Sequence, residues 1–591
     1  MADGLDTLFA QAIARHQQGD LPGAIGLYRM LLGLRADAPA LHVNLGIALQ
    51  AQRKWDEAEA SFRQALALDP LLAEAHNSLG CVLTSQGKLE DAVEALNRAQ
   101  SLAPHLPQAS NNLGNALRLQ GKLTEAVKAF RHAAALDATS PQPWCNLAAL
   151  LLEMGEVEES IAAANKALAL DPHQPEAWNC LGNAHLLADR VEEAEAAFRQ
   201  AAASPAAGTN LAALLYDLAR FEEASAQAQA VTVAHPAYAT AFNVLGNALM
   251  AQNKSSEAEA AFRQGLALTP DDPRIRLNLS SVLLKQGKFS EGWQAYEARR
   301  IVPWSPLLQR SYGLPSWEGG PVDGALLLHA EQGYGDCLQF CRYALDLPMP
   351  VVLMVEPALK RLLSESFSGK IKVIARDDAL PEELAAQLPL MSLPFILGHR
   401  DIPPVASYLK ADAGPWGERL AALPGRKVGL AWAGAPRPYS KIAHLLDKRR
   451  SIPLKKLEIL GELAGISWVS LQKGEAATET VPALHLSGFS ADLGDFADTA
   501  GLIMGLDLVI SVDTAIAHLA AALGKPVWLL SRFDGCWRWL EGRDDSPWYP
   551  TVRLFRQKSQ GDWDGVVERV RAAVSTWKPL AWKDGLPRPT M

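Results

Sequence analysis

A chain of 591 residues is too long for one hydrophobic core and must divide into two to four domains. Its composition, 49% hydrophobic and 20% charged, is that of an ordinary soluble globular protein, and a formal net charge of −9 excludes the basic footprint of a general nucleic-acid binder. No apolar run approaches the roughly 20 residues of a membrane-spanning helix, the opening MADGLDTLFAQAIARHQQGD lacks the regions of a secretory signal, and six scattered cysteines without C-x-x-C fit reduced thiols in a cytoplasm.

From the N-terminus, a Leu-Gly-like pair recurs at Leu45-Gly46, Leu79-Gly80, Leu113-Gly114, Leu147-Ala148, Leu181-Gly182, Leu211-Ala212, Leu245-Gly246 and Leu279-Ser280. The spacing is 34 residues, with one step of 30 between Leu181 and Leu211. Small residues and an aromatic follow the first pair at Ala58, Phe62, Ala65 and Pro70, with equivalents at Ala126, Phe130 and Ala133 and at Ala258, Phe262 and Pro270. A period of 34 with small residues at helix crossings, an aromatic plug and Pro between units resembles the tetratricopeptide repeat. The pattern covers residues 1–305 as about nine repeats, which predicts a superhelix with a concave, protein-binding groove.

The residue before the repeated Leu is Asn at Asn44, Asn112, Asn146, Asn210 and Asn278, and Asn recurs two residues after it at Asn115, Asn183 and Asn247. An amide carries donors and an acceptor together, so it can hold a peptide backbone whatever its side chains. The arrangement looks like the asparagine ladder of O-linked N-acetylglucosamine transferases, where the groove holds the acceptor protein. The alternative is that these residues only tie neighbouring repeats together.

A Pro- and Gly-rich stretch, Ser305 to Gly324, then marks a domain boundary. Short apolar runs alternate with helical patterns: 325–330, 351–356 and 371–375 in one group, then 427–434, 467–472, 506–512, 525–531 and 552–556 in another. Such runs predict parallel α/β sheets. Two Rossmann-like lobes, 306–410 on the acceptor side and 411–591 on the nucleotide-sugar side, would make a GT-B fold with ligands at the carboxyl ends of the strands.

Six segments occur in order: HAEQGYGDCLQFCRY (329–343), PLMSLP (389–394), GLAWAGAP (429–436), RRSIPLKKLEIL (449–460), SLQKGE (470–475) and DTAIAHLAAALGKPVWLL (513–530). Together they resemble the heptosyltransferase-related glycosyltransferases, and more closely bacterial proteins joining such a domain to tetratricopeptide repeats, some of which are flagellin glycosyltransferases. The resemblance implies that Asp513 and Thr514, with the helix they open, hold the donor diphosphate and sugar, with His518 following. Ala515 stands where the family usually has Gly. It also implies Asp336 as the base that takes the acceptor proton, Gly335 before it as a donor-binding position that admits the substrate close to the loop, and Arg449, Arg450 and Lys473 as donor-binding cations. Each has a plainer alternative: a capped helix at Asp513, a core histidine at 518, a cap at Asp336, solvated surface charges for the cations. Trp537 and Trp539 would either stack on a ligand or pack in the core.

No cofactor or metal is expected, only a nucleotide-sugar substrate. The one Asp-x-Asp, Asp562 and Asp564, opens an amphipathic helix and reads as a cap. Cys337 and Cys341 lie one helical turn apart, too few for a zinc site. The expectation is a cytoplasmic protein O-glycosyltransferase of inverting mechanism, acting on Ser or Thr of an acceptor, flagellin being a candidate, docked in the repeat groove. The alternatives are an inactive scaffold with a degenerate transferase-like domain, or an epimerase or hydrolase of similar fold, which leaves the repeats without a task. Sequence names neither the sugar, the acceptor nor the oligomeric state.

Overall fold

The computed structural model describes residues 2–578 apart from 311, 404 and 435–446, together with 582, 583, 586 and 587. The chain opens with eighteen helices, from Ala2–Gln17 (α1) to Phe289–Tyr296 (α18), which form a solenoid of helical pairs. The repeated pair and the aromatic plug prove to be one device. A Cβ added at Gly46 would lie 2.7 Å from the Phe62 ring, at Gly114 2.6 Å from Phe130, and at Gly246 2.5 Å from Phe262. The first helix of these pairs thus gives up a side chain so that the second can bury a ring against its backbone, and at Gly80 the buried group is Leu96 instead. Where Ala148 and Ala212 replace that glycine, the position 16 residues on is Ala164 or Ala228 rather than Phe, and both are fully buried. The first helix regains a methyl where the second gives up its ring, so the two positions change together in opposite directions.

Two parallel sheets follow. The first comprises β1 (Ala325–His329), β2 (Val351–Val355), β3 (Lys372–Ala375) and β4 (Leu384–Pro389) in the order β3-β2-β1-β4. The second comprises β5 (Arg426–Ala431), β6 (Ile466–Ser470), β7 (Ser487–Gly488), β8 (Leu508–Val512), β9 (Val527–Ser531) and β10 (Val552–Arg556), in the order β10-β9-β8-β5-β6-β7. Every pairing within them is parallel, with Leu327 opposite Val352 and Val509 opposite Val527. Residues buried on both faces explain why these strands read as continuous apolar runs. The exceptions, β4 and β7, lie at sheet edges, where a strand needs neither length nor an apolar sequence, and Pro389 is tolerated.

The compact units divide elsewhere than composition does. They are Met1–Leu211 and Ala212–Met591, so the division falls inside helix Pro205–Asp217 (α13) and not near 305. The reason is a shared core. Leu284, Phe289, Trp293 and Tyr296, from the last helical pair, are buried in one cluster with Leu326, Leu353, Leu388 and Leu529 of the strands. The Trp293 ring meets Trp537 at 5.7 Å, Phe340 at 5.9 Å and Trp548 at 6.3 Å, all edge to face. Arg299, just past α18, makes a two-pronged contact with Glu331 at 2.9 and 2.8 Å, both side chains buried. Ser392 and the Met391 amide complete that knot, which gives the PLMSLP segment a structural task. Among the described residues no helix is long and apolar enough to cross a membrane.

Candidate functional site

Strand order places the site. In the first sheet the chain reverses between β1 and β4, and in the second between β5 and β8, and ligands of open α/β sheets bind at the carboxyl ends of strands beside such reversals. A cleft of about 670 Å³ lies there, lined by the loop after β1, the ends of β5 and β6, and the turn after β8. Gly335, Asp336, Arg450, Lys473, Asp513, Thr514 and His518 all line it.

Asp513 ends β8 and Thr514 opens helix Ala515–Ala522, whose first turn faces the cleft. The Thr514 side chain does not cap that helix; its hydroxyl meets Ser511 Oγ at 3.1 Å instead. A helix start whose N–H groups have no side-chain cap is suited to an anion. Asp513 keeps 29% of its side chain open to the cleft, yet the surrounding walls desolvate it. Burial raises its carboxyl above the ordinary aspartate value, while the Trp539 indole and then Arg538 and Arg532 work against the rise. The Gly-Lys-Pro that closes the segment ends the helix: Gly524 has φ +80°, and the Gly524 and Lys525 amides donate to Ala521 and Ala520.

His518 is buried, accepting or donating at Tyr549 Oη (3.0 Å) and stacked on Trp539 with ring centroids 5.2 Å apart. Burial, then the Arg538 and Arg342 guanidiniums, pull its pKa to about 3, so the ring is neutral. Gly335 is needed for this packing, because a Cβ there would lie 2.9 Å from His518 Cδ2. Trp539 is fully buried, and Trp537 nearly so within the aromatic cluster around Trp293.

Asp336 sits in the first turn of helix Tyr334–Phe340. One carboxylate oxygen accepts the Gly333 amide at 3.0 Å, and the other receives the Arg538 guanidinium. Lys473 donates its ammonium to the Leu493 carbonyl, and Arg450 pairs with Asp447 at 3.0 Å while crossing Gly434, where a Cβ would meet its guanidinium at 2.6 Å. Arg449 is not among the residues that line the cleft; it lies 3.8 Å from Asp534 and 5.2 Å from the centre of the Phe221 ring. Asp217 shares that pocket of charge, its carboxyl pushed up to about 6 by burial and held back by Arg449. Adjacent residues 449 and 450 point their charges to different places, which no loop sequence announces.

Arg538 was not foreseen. It lies between the two tryptophans of CWRWL, flanked on both sides by the more conspicuous aromatic side chains. The loop carrying it is fastened to helical pairs of the same compact unit: Asn253 donates to the Phe533 carbonyl at 2.9 Å, Lys285 holds Asn253 at 2.7 Å, and Ser255 donates to Glu541 at 2.5 Å. The GLAWAGAP segment reaches the cleft at Ala431, Ala433 and Gly434; Ala435 and Pro436 lie outside the described residues. In SLQKGE, Gln472 is structural, its amide bridging Trp432 and Ala433 at 3.1 and 3.0 Å. Cys337 and Cys341 are buried core thiols, and burial pushes Cys341 up to about 12. Among the described residues no group of His, Cys, Asp and Glu is assembled as a metal site needs.

The repeated asparagines form links along the solenoid. Asn112 donates to Asn77 at 2.9 Å, Asn146 to Asn111 at 2.8 Å, Asn210 to Asn179 at 2.8 Å and to Asn183 at 3.3 Å, and Asn278 to Asn243 at 2.9 Å. Asn44 instead turns back to its own helix at Ala40. All are partly exposed, as are Asn115 and Asn247. Since solenoid stability is a sum over neighbouring repeats, replacing Asn112, Asn146 and Asn210 by Ala should cost about 4 kcal/mol, at about 1 kcal/mol for each of the four links lost. Chemical denaturation of the full chain checks this, and an unchanged first transition would leave the amides to ligand binding alone.

Comparison with known proteins finds a match in each region. The description of the tetratricopeptide repeat matches residues 43–107, 145–208, 209–273 and 243–303, and a further TPR repeat matches 114–155. Glycosyltransferase family 9 (heptosyltransferase) matches residues 493–530, which are helix Phe496–Met504, β8, helix Ala515–Ala522 and most of β9, one wall of the cleft. Protein FlbA of Caulobacter vibrioides is 28% identical over 441 residues, 62% of this chain and 72% of that protein. The APC/C hetero-tetramer Cut9-Hcn1 aligns over 47% of this chain and 56% of its own, at 14% identity and a TM-score of 0.35. A tetratricopeptide repeat protein from Parabacteroides merdae aligns over 48% of this chain and 99% of its own, at 16% identity and a TM-score of 0.35.

Proposed function

We propose that this chain, a run of tetratricopeptide repeats joined to a glycosyltransferase family 9-like region, is a protein O-glycosyltransferase of the GT-B type. The observation that carries the reading is the cleft itself: a helix start without a side-chain cap at Thr514, cationic side chains and a carboxylate converge at the strand ends, and the helix start lies on the wall that matches the family. A nucleotide sugar binds with its phosphates toward the first turn of helix Ala515–Ala522, with Lys473, Arg450 and Arg538 nearby. A Ser or Thr hydroxyl of the acceptor attacks the anomeric carbon from the face opposite the phosphate. The new C–O bond forms as the bond to the phosphate oxygen breaks, the configuration inverts, and Asp336 takes the hydroxyl proton. The leaving phosphate's charge is met by protein groups in this reading, with no metal, so transfer should continue in EDTA. The neutral His518 ring packs the site and takes no proton.

The repeats supply the acceptor surface, and the enzyme works in the cytoplasm before its acceptor is exported. Flagellin is the first acceptor to test, on the resemblance to flagellin glycosyltransferases. Intact-mass measurement of candidate acceptors from cells with and without this gene gives acceptor and sugar together. A sugar-sized difference on one protein is expected, and identical masses throughout would overturn the reading.

A further inference from the structure

We infer that Arg538 is a positioning residue that makes the base wait for the donor. With no phosphate bound the guanidinium holds Asp336, and an arriving donor phosphate draws it away and frees the carboxylate. The inference rests on the cleft being a nucleotide-sugar site. Each carboxylate oxygen has two lone-pair sites, and at Asp336 one site on each is taken, by the Gly333 amide and by the Arg538 guanidinium, so an incoming hydroxyl competes with a charged donor for the base. The other edges of the guanidinium meet neutral groups, Gln339 Oε1 at 3.1 Å and Cys536 Sγ at 3.2 Å, and its face lies 4.3 Å over the Trp537 ring. Asp336 is therefore its one anionic partner among the described residues.

Asp513, at the mouth of the phosphate-facing helix, feels the charges of both Arg538 and Asp336, which puts the pair at that end of the cleft. The other cations are committed elsewhere, Lys473 to a carbonyl and Arg450 to Asp447. A phosphate offers the guanidinium fork two oxygens and more charge than one carboxylate oxygen does. The expected consequence is ordered binding, donor before acceptor.

The test is calorimetric binding of ADP, GDP, UDP and CMP to the full-length protein. Asp336→Asn removes the competitor for Arg538, so affinity for the best of the four should rise about tenfold, the worth of one charge-assisted contact. Arg538→Gln should lower it by about tenfold, Arg538→Lys should lose less, and Asp336→Asn should gain nothing in the Arg538→Gln background. A role in folding alone would not produce that gain, and the gain decides the matter even if Arg538→Gln fails to fold. Equal affinity in wild type and Asp336→Asn overturns the coupling while leaving the nucleotide site intact. No binding of any of the four to the wild type overturns the coupling together with the reading on which it rests.

Discussion

A chain cut to residues 306–591 will neither unfold cooperatively nor bind nucleotide, whereas residues 205–591 will bind as tightly as the full chain. The cut at 306 removes Trp293 and Tyr296 from the aromatic cluster that holds Trp537, Phe340 and Trp548. Losing one such buried ring costs about 3 to 5 kcal/mol, against a total of about 5 to 15 for a typical domain. It also removes Arg299, leaving the Glu331 carboxylate buried without its partner, which costs about 3 to 5 kcal/mol more. Asn253, Ser255 and Lys285, the anchors of the loop that carries Arg538, go with them. Starting at Pro205 keeps α13 whole across the division of the compact units. Urea unfolding and nucleotide calorimetry on both fragments decide it. A well-folded 306–591 fragment with full affinity would show that the shared core carries no weight.

Asp336→Asn will lower the rate of sugar transfer by about 10² to 10⁴, the usual cost of removing a positioned acid–base group. Its fold should hold, because the Asn side-chain oxygen still accepts the Gly333 amide. Asp513→Asn is expected to weaken nucleotide binding and transfer together, since it alters the strand end at the proposed phosphate site. The measurements are initial rates with the acceptor found by mass difference, and thermal unfolding as the control. Wild-type transfer by Asp336→Asn would reduce Asp336 to a cap and a partner for Arg538, and the base would have to be sought elsewhere.

Local regularities made the repeats and most strands readable. A 34-residue period and apolar runs of strand length are properties of short windows, and the physics behind them, helix crossings and two-sided burial, acts within those windows. The order of six family-like segments brought Asp336, Lys473, Arg450, Asp513 and Thr514 to attention, and they share one cleft. The asparagines were legible as a pattern, with links between repeats as one of two readings, but their partners were not, because four of the five bonds reach back 35 residues, or 31 across the short repeat, to an asparagine one place out of register.

By itself the sequence determined the solenoid, the alternation of strands and helices, and the helix start at Asp513 and Thr514. Only the tertiary structure decided that Arg449 leaves the cleft while Arg450 lines it, that Arg538 pairs with Asp336 across 202 positions, and that the last helical pairs share a core with the sheets. Those outcomes depend on which distant side chain fills a volume or meets a charge. Such a choice is made among many partners of the same chemical type, and spacing along the chain does not distinguish them.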